Sequence, residues 1–338
     1  MDIQEAIKAV VLGRDLGQDA AAAVMEQIMT GEATPAQIAA FLTALHLKGE
    51  TDAEIAGMAA VMREKAVRVH HEGPVLDTCG TGGDSTNTFN ISTAAAFVAA
   101  GAGATVAKHG NRAMTSKCGS ADVLEGLGVN IELDADDVSR CLREAGIGFM
   151  FAQKFHPAMR YVGPIRREIG IRTAFNVLGP LTNPAHAEYQ VLGVAAAPLA
   201  EKLASALGRM GTQHALVVHG TDGVDELSLT APSLVWEVRA GQNPKQYEIA
   251  PEMFGLQRAP REAILGGPVA ENVATVRGIL AGSTQGPKRD IVLLNAAAAL
   301  VAAERAADFA EGVELARQAV DSGAATDRME RMVRVSQA

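Results

Sequence analysis

The chain has 338 residues, of which 48% are hydrophobic and 20% charged, enough to bury a large core divided between one big and one small domain. A net charge of −9 and a pI near 5.4 disfavour a broad nucleic-acid-binding face, because neutralising phosphates needs clustered Lys and Arg. No window reaches the roughly 18 apolar residues of a membrane span. The start, MDIQEAIKAV, also lacks a basic-then-apolar signal pattern, so a cytoplasmic location is expected. Cys79, Cys118 and Cys141 are odd in number and contain no CxxC, which argues against a disulfide framework and against structural zinc.

The first 70 residues read as helix throughout, with apolar residues at three- and four-residue intervals. Thr34-Pro35 places a capping hydroxyl before a first-turn proline, Gly49 closes the helix it opens, and Thr51 with Glu54 makes a capping box. Helices near 35–48 and 52–66 are therefore predicted.

From Pro74 the pattern changes to short apolar runs alternating with amphipathic helices: PVLD, a Gly-rich turn, STAAAFVAAGAG, ATVAKHG and GSADVLEGLG. The rhythm returns in YQVLGVA, a helix near 198–210, HALVVHG and SLVWEVRAG, after which the chain reads as helical again. Such alternation predicts an α/β fold with a mostly parallel central sheet. The segment 157–188 interrupts it with a helix-like HPAMRYVGPIRREIG and a Pro- and Gly-punctuated NVLGPLTNPA. It is expected to rejoin the first helices, giving a small helical domain from 1–72 with 157–188 and a large α/β domain from 73–156 with 189–338. A cleft would lie between the two.

Three groups of residues carry chemistry. Gly80-Thr81-Gly82-Gly83-Asp84 follows a strand-like run and precedes a helix starting near Asn90-Ile91-Ser92-Thr93. Glycines bring backbone N–H groups close to an anion, and the helix N-terminus adds unpaired donors. The loop matches neither a Walker A nor a GxGxxG pattern, and taken alone it reads equally well as a tight strand-to-helix turn. Ser92 or Thr93 would cap the helix or face a ligand.

Lys108-His109-Gly110-Asn111-Arg112-Ala113 comes directly after a strand, at the carboxyl end where parallel sheets place ligands. Lys108 suits phosphate as a point charge and Arg112 a bidentate partner, against the alternative of a solvated charged turn. Thr115, Ser116, Gly119 and Ser120 then offer a second helix N-terminus to an anion. Asp222-Gly223-Val224-Asp225-Glu226 follows HALVVHG, and adjacent carboxylates beside phosphates suit Mg²⁺, whose ligands are few carboxylates plus substrate oxygens; the alternative is an acidic turn. Arg166 and Arg167 sit on the inserted helix, where a solvated face is the default unless the helix lines the cleft.

The motifs DTCGTGGD, TFNIST, KHGNRA, GSADVLE, RTAFNVLGPLTNPA and GTDGVDE occur in one order between about 77 and 226. In them, and in its helical ends, the whole chain resembles the anthranilate phosphoribosyltransferases, built on the nucleoside phosphorylase and phosphoribosyltransferase type of fold. The resemblance implies transfer of a phosphoribosyl group from phosphoribosyl pyrophosphate (PRPP) to the amine of anthranilate in tryptophan biosynthesis, with Mg²⁺, by a homodimer formed through the helical domains.

On this resemblance Gly80, Gly83, Asp84, Thr88 and Asn90 are implied PRPP-binding positions, followed by Ile91, Ser92 and Thr93. Lys108 and Ser120 join them, and His109, Gly110, Asn111, Arg112, Ala113, Met114, Thr115 and Ser116 complete that wall. Ser92, Asp225 and Glu226 are implied Mg²⁺ positions. Asn111 and Arg166 are implied anthranilate contacts, with Gly80 approaching both substrates and Pro180 shaping the pocket. Ser85 and Cys118 depart from the family's usual glycine and serine; Cys118 reads as a packed thiol, since a direct displacement needs no covalent enzyme intermediate. The rival readings are a pyrimidine nucleoside phosphorylase-like enzyme, opposed by GTGGD, KHGNRA and NVLGPLTNP, and a non-enzymatic nucleic-acid-binding relative, opposed by the acidic balance.

Overall fold

The computed structural model describes residues 1–83, 86–113 and 117–338. The chain opens with α1 (Ile3–Val11), α2 (Gln18–Thr30), α3 (Pro35–Lys48) and α4 (Asp52–Glu64). Thr34 and Thr51 both cap as the sequence predicts, each in a reciprocal box with the residue three positions on, Gln37 and Glu54. The helix predicted to end near 66 stops at Glu64, capped by Lys65. Glu54 also works beyond its own helix: wholly buried, it accepts the Leu16 N–H at 2.9 Å and pairs with Lys48 Nζ at 3.0 Å.

The alternating region begins with β1 (Leu76–Gly80), α5 (Ile91–Gly101), β2 (Val106–Gly110), α6 (Ser120–Leu127), α7 (Ala135–Ala145) and β3 (Ile147–Phe151). A return path of α8 (Ala152–Phe155), the 3-10 turn Pro157–Tyr161, α9 (Gly163–Ile169) and α10 (Phe175–Leu178) then leads to β4 (Tyr189–Gly193). Next come α11 (Ala197–Arg209), β5 (His214–Gly220), β6 (Ser233–Arg239) and β7 (Lys245–Ile249), and the chain ends in α12 (Val269–Leu280), α13 (Pro287–Ala302), α14 (Phe309–Asp321) and α15 (Ala324–Ser336).

Among the described residues these strands form one seven-stranded sheet in the order β3-β2-β1-β4-β5-β6-β7, parallel from β3 to β5 and antiparallel at β6 and β7. The mostly parallel sheet expected from the alternation is thus present. After β3 the chain crosses to the other side of β1, so the strand order reverses between β1 and β4, the kind of switch point where open α/β sheets bind ligands. The crossing is the inserted segment itself. α9 packs on α3, and α10 on α4. Arg63 of α4 fixes the following loop by donating to the Leu181 carbonyl at 2.9 and 3.2 Å. One apolar cluster therefore runs from the first helices through Val162, Phe175 and Leu181 to α11 and the adjoining face of the sheet.

Two strands had no clear sequence signal. β3, IGFMF, is buried at all five positions and so shows no alternation, while β7, KQYEI, is an edge strand that turns charged and polar side chains outward. Among the described residues no helix is long and apolar enough to cross a membrane.

Replacing Glu54 by Ala would leave the Leu16 and Thr51 N–H groups without their acceptor and take from the nearly buried Lys48 ammonium one of its two carboxylate partners, leaving it Asp15. The expected loss is about 3 kcal/mol of stability in denaturant unfolding; an unchanged midpoint would remove Glu54 from this role.

Candidate active site at the carboxyl edge of the sheet

β1 and β4 run in register over five residue pairs and end together at Gly80 and Gly193. Both ends are glycine, and at position 193 no other residue fits. A Cβ on Gly193 would overlap the Asp225 carbonyl oxygen, and one on Gly80 would overlap the Asp225 carboxylate. The segment after β5 can therefore lie across the strand ends. There the Asp225 carboxylate accepts the Gly82 N–H at 2.8 Å, and the Glu226 carboxylate accepts the Ser92 N–H at 3.1 Å, in the first turn of α5. Two donors suited to an anion are in this way held by the protein's own acids.

β1 and β2 pair through backbone only at Leu76 and Val106. Beyond that point side chains substitute for the ladder. The buried Asp77 carboxylate accepts the His109 N–H at 3.1 Å, and Lys108 Nζ donates to the Thr78 carbonyl, with Ser92 Oγ 3.5 Å away. Lys108 is thus no exposed loop cation but a buried ammonium under the site, 2% exposed. Burial pushes its pKa down and that of Asp77 up, and the attraction between the two opposes both shifts.

Several sequence expectations change in detail. Arg112 was read as a fork for a ligand, but it pairs with Glu125 at 2.8 and 3.1 Å and with Asp122 at 3.0 Å. Asp122 also accepts the N–H groups of Gly119 at 2.8 Å and Ala113 at 3.0 Å, so the start of α6 is satisfied largely from within the protein rather than open to an anion. Ser120 Oγ donates to the Asn111 carbonyl, and Asn111 Oδ1 accepts the Arg112 N–H. The Thr93 hydroxyl is buried without a hydrogen-bond partner, and neither Ser92 nor Thr93 is the cap of α5; Asn90 holds that position. Ile91 is buried in the core, Thr88 bridges to Leu265, and Gly110 leaves room for Ser120 Oγ. Asp222 accepts from Ser228 and Thr230, closing its own turn. Asp84, Ser85, Met114, Thr115 and Ser116 lie outside the described residues.

The inserted segment reaches the same edge. Arg166 is half-buried, with Nη2 3.5 Å from Asn176 Oδ1 and its guanidinium 5.5 Å from the centre of the Phe175 ring, and burial lowers its pKa. Arg172, not singled out in the sequence, stands against Gly83, where the left-handed φ of +76° and the missing side chain let the guanidinium approach. The oxygen-only set of Ser92, Asp225 and Glu226 fits a hard cation, and among the described residues no three His, Cys, Asp or Glu side chains converge to form a closed metal cage. The edge thus brings two carboxylates and two backbone donors together, facing an arginine-bearing segment.

Residues 72–326 match the model of the glycosyl transferase family a/b domain, and residues 4–66 that of the family's helical bundle domain. The chain is 72% identical over 336 residues to the anthranilate phosphoribosyltransferase of Chloroflexus aggregans, covering 99% of each. The chain belongs to the anthranilate phosphoribosyltransferase family. The crystal structure of the Thermus thermophilus enzyme superposes with a TM-score of 0.92 at 47% identity, over 98% of this chain and 99% of that one. The Saccharomyces cerevisiae enzyme in complex with PRPP and Mg superposes with a TM-score of 0.90 at 28% identity, over 99% and 98%. Likeness of this extent sets aside both the phosphorylase and the nucleic-acid-binding readings.

His109 and His156 face each other beside the insertion, Nε2 to Nε2 at 3.2 Å. Burial pushes His109 down to about 3 and His156 down to about 4, so both rings are neutral near pH 7. With both rings neutral, one Nε2 donates to the other. Because the unfolded chain takes up these protons first, near 6.5, stability is highest above that value and falls as pH drops towards the folded pKa values. Each ring contributes at most about 1.4 kcal/mol per pH unit in that window. Replacing both by Gln should flatten the decline measured by denaturant unfolding between about pH 7 and about pH 5; parallel declines in the two proteins would contradict the neutral pair.

Proposed function

We propose that the chain transfers the phosphoribosyl group of PRPP to the amine of anthranilate, giving N-(5-phosphoribosyl)anthranilate and pyrophosphate in tryptophan biosynthesis, with PRPP along the ends of β1 and β2. Supporting this most is the meeting of Asp225 and Glu226 with the N–H groups of Gly82 and Ser92. Carboxylates and anion donors share one small space, as a diphosphate carried on a divalent cation requires. Asp225, Glu226 and Ser92 would hold Mg²⁺, which would supply charge neutralisation for the departing pyrophosphate. Gly82 and Ser92 would then donate to phosphate oxygens, with Lys108 adding positive charge from below.

An aromatic amine is unprotonated near neutral pH, so the nucleophile needs no strong base. The reading assigns the carboxylate of anthranilate to Arg166 and its edge to Asn111, Gly80 and Pro180. His109 and His156, held neutral, add no acidic proton to the pocket. We take 1–72 with 157–188 as the unit that closes over the α/β domain, excluding water that would compete for the sugar. Arg172 against Gly83 is the contact through which closure would register on the phosphate loop. The same helical unit exposes Val11, Leu12 and Leu47. The Lys48–Asp15 pair at 2.7 Å brings those stretches together, which supports a homodimer through this face.

Mixing the protein with PRPP, Mg²⁺ and anthranilate should give matched rates of anthranilate fluorescence loss and pyrophosphate release, both abolished by chelation; absence of turnover would refute the activity. Arg166→Ala should raise the KM for anthranilate at least tenfold, about the worth of a charged hydrogen bond, with a smaller effect on kcat. Asp225→Asn with Glu226→Gln should instead lower kcat and raise the Mg²⁺ requirement. An Arg166→Ala enzyme with unchanged anthranilate KM would remove that residue from the pocket.

A further inference from the structure

Asn272 lies far along the chain from every motif at the site, in the first turn of α12, and is 3% exposed. Its amide is committed in more than one direction. Oδ1 accepts the Gly267 N–H at 2.8 Å, and Nδ2 donates to Asn90 Oδ1 at 3.1 Å. Asn90 Nδ2 in turn donates to the Cys118 carbonyl at 3.1 Å. The amide of Asn90 is therefore held between α12 on one side and the segment leading into α6 on the other.

The strap before α12 reinforces this arrangement. Leu265 forms an antiparallel bridge with Thr88, the Gly266 N–H donates to the Asn87 carbonyl at 2.8 Å, and the Phe89 N–H donates to the Ile264 carbonyl at 3.4 Å. A Cβ on Gly266 would stand 2.8 Å from Phe89 Cα, so the strap lies flat on the chain entering α5 only because that residue is glycine. An asparagine amide rotates freely when its neighbours do not restrain it. Here every rotation would break a bond to Asn272 or to Cys118, and leave a buried polar atom unpaired.

We infer that Asn272 is a positioning residue for PRPP: it fixes the orientation of Asn90 and locks the start of α5 to the segment before α6, so that the two walls of the phosphate pocket keep one spacing. The inference rests on the proposed place of PRPP at Asn90. Asn272 touches neither the acidic pair nor the inserted segment in any bond named above, so its influence should fall on PRPP and not on anthranilate. Preorganised donors are worth more than mobile ones because no ordering cost is left for the binding step.

The test is calorimetric titration with PRPP in the presence of Mg²⁺, applied to the unaltered protein, Asn272→Ala, Asn272→Asp, Asn90→Ala and the double variant Asn90→Ala/Asn272→Asp. Asn272→Asp keeps the shape and the Gly267 acceptor but loses the donor to Asn90, so it isolates that bond should Asn272→Ala fail to fold. Both Asn272 variants should weaken PRPP about tenfold, the worth of one buried hydrogen bond, and leave the anthranilate KM within about twofold. In the Asn90→Ala background Asn272→Asp should add nothing further. PRPP affinity unchanged in a folded Asn272→Asp protein, even with a lowered unfolding midpoint, would overturn the inference. So would full additivity with Asn90→Ala. If Asn90→Ala itself left PRPP binding intact, the proposed phosphate site would fail, and the role of Asn272 with it.

Discussion

The architecture of the site depends on one close approach, that of the Asp225 backbone to the ends of β1 and β4. Those strands finish in register at Gly80 and Gly193; a Cβ at position 193 would strike the Asp225 backbone carbonyl, and one at position 80 only its carboxylate. A side chain at position 193 would lift the segment after β5 off the sheet, carrying Asp225 away from the Gly82 N–H and Glu226 away from the Ser92 N–H. The glycines at this edge do more than permit turns. They set the height at which an acidic pair sits above a parallel sheet, and so, on the proposed reading, whether a cation and a diphosphate would be held together.

Charge is handled with the same economy. With a net charge of −9 the chain carries no overall excess of cations, and two of its motif cations already have partners. Arg112 is tied to Glu125 and Asp122, and Lys108 lies buried beside Asp77 with its ammonium on the Thr78 carbonyl. On the proposed reading, a polyanion would meet largely backbone, N–H groups at a glycine loop and a helix start, held by carboxylates that a divalent cation would draw away. Such a site would favour the metal-bound diphosphate over free phosphate, because the donors would open only when something positive took the acids.

Much of this was legible in the sequence. The cap at Thr34 and the capping box at Thr51 gave the helix starts correctly because a cap is a local hydrogen bond between residues three apart. The alternation of apolar runs and helices announced the parallel sheet, and the interruption at 157–188 announced the return path to the first helices. The glycine loop and the acidic turn follow β1 and β5 as the sequence suggests, whereas Lys108 and His109, expected just after a strand, lie within β2. The parts that stayed hidden are those fixed by distant contacts. β3 and β7 lack alternation, one being fully buried and the other an edge. Arg172 sat inside a quoted motif, yet its value comes from meeting Gly83, and Asn272 carries no local signal at all. Arg112 shows the converse: a residue whose type suits phosphate but whose partners, at positions 122 and 125, lie on the helix that follows.

The most direct test of the account is the metal dependence of Gly193→Ala. A Cβ there strikes the Asp225 carbonyl and should displace the acidic pair while leaving Arg166 and the inserted segment in place. The account predicts that half-saturation by Mg²⁺ rises about tenfold or more, a displacement cost of at least 1.4 kcal/mol, with the KM for anthranilate little changed. A folded Gly193→Ala enzyme that needs no more Mg²⁺ than the unaltered protein would show that the acidic pair does not depend on this seat.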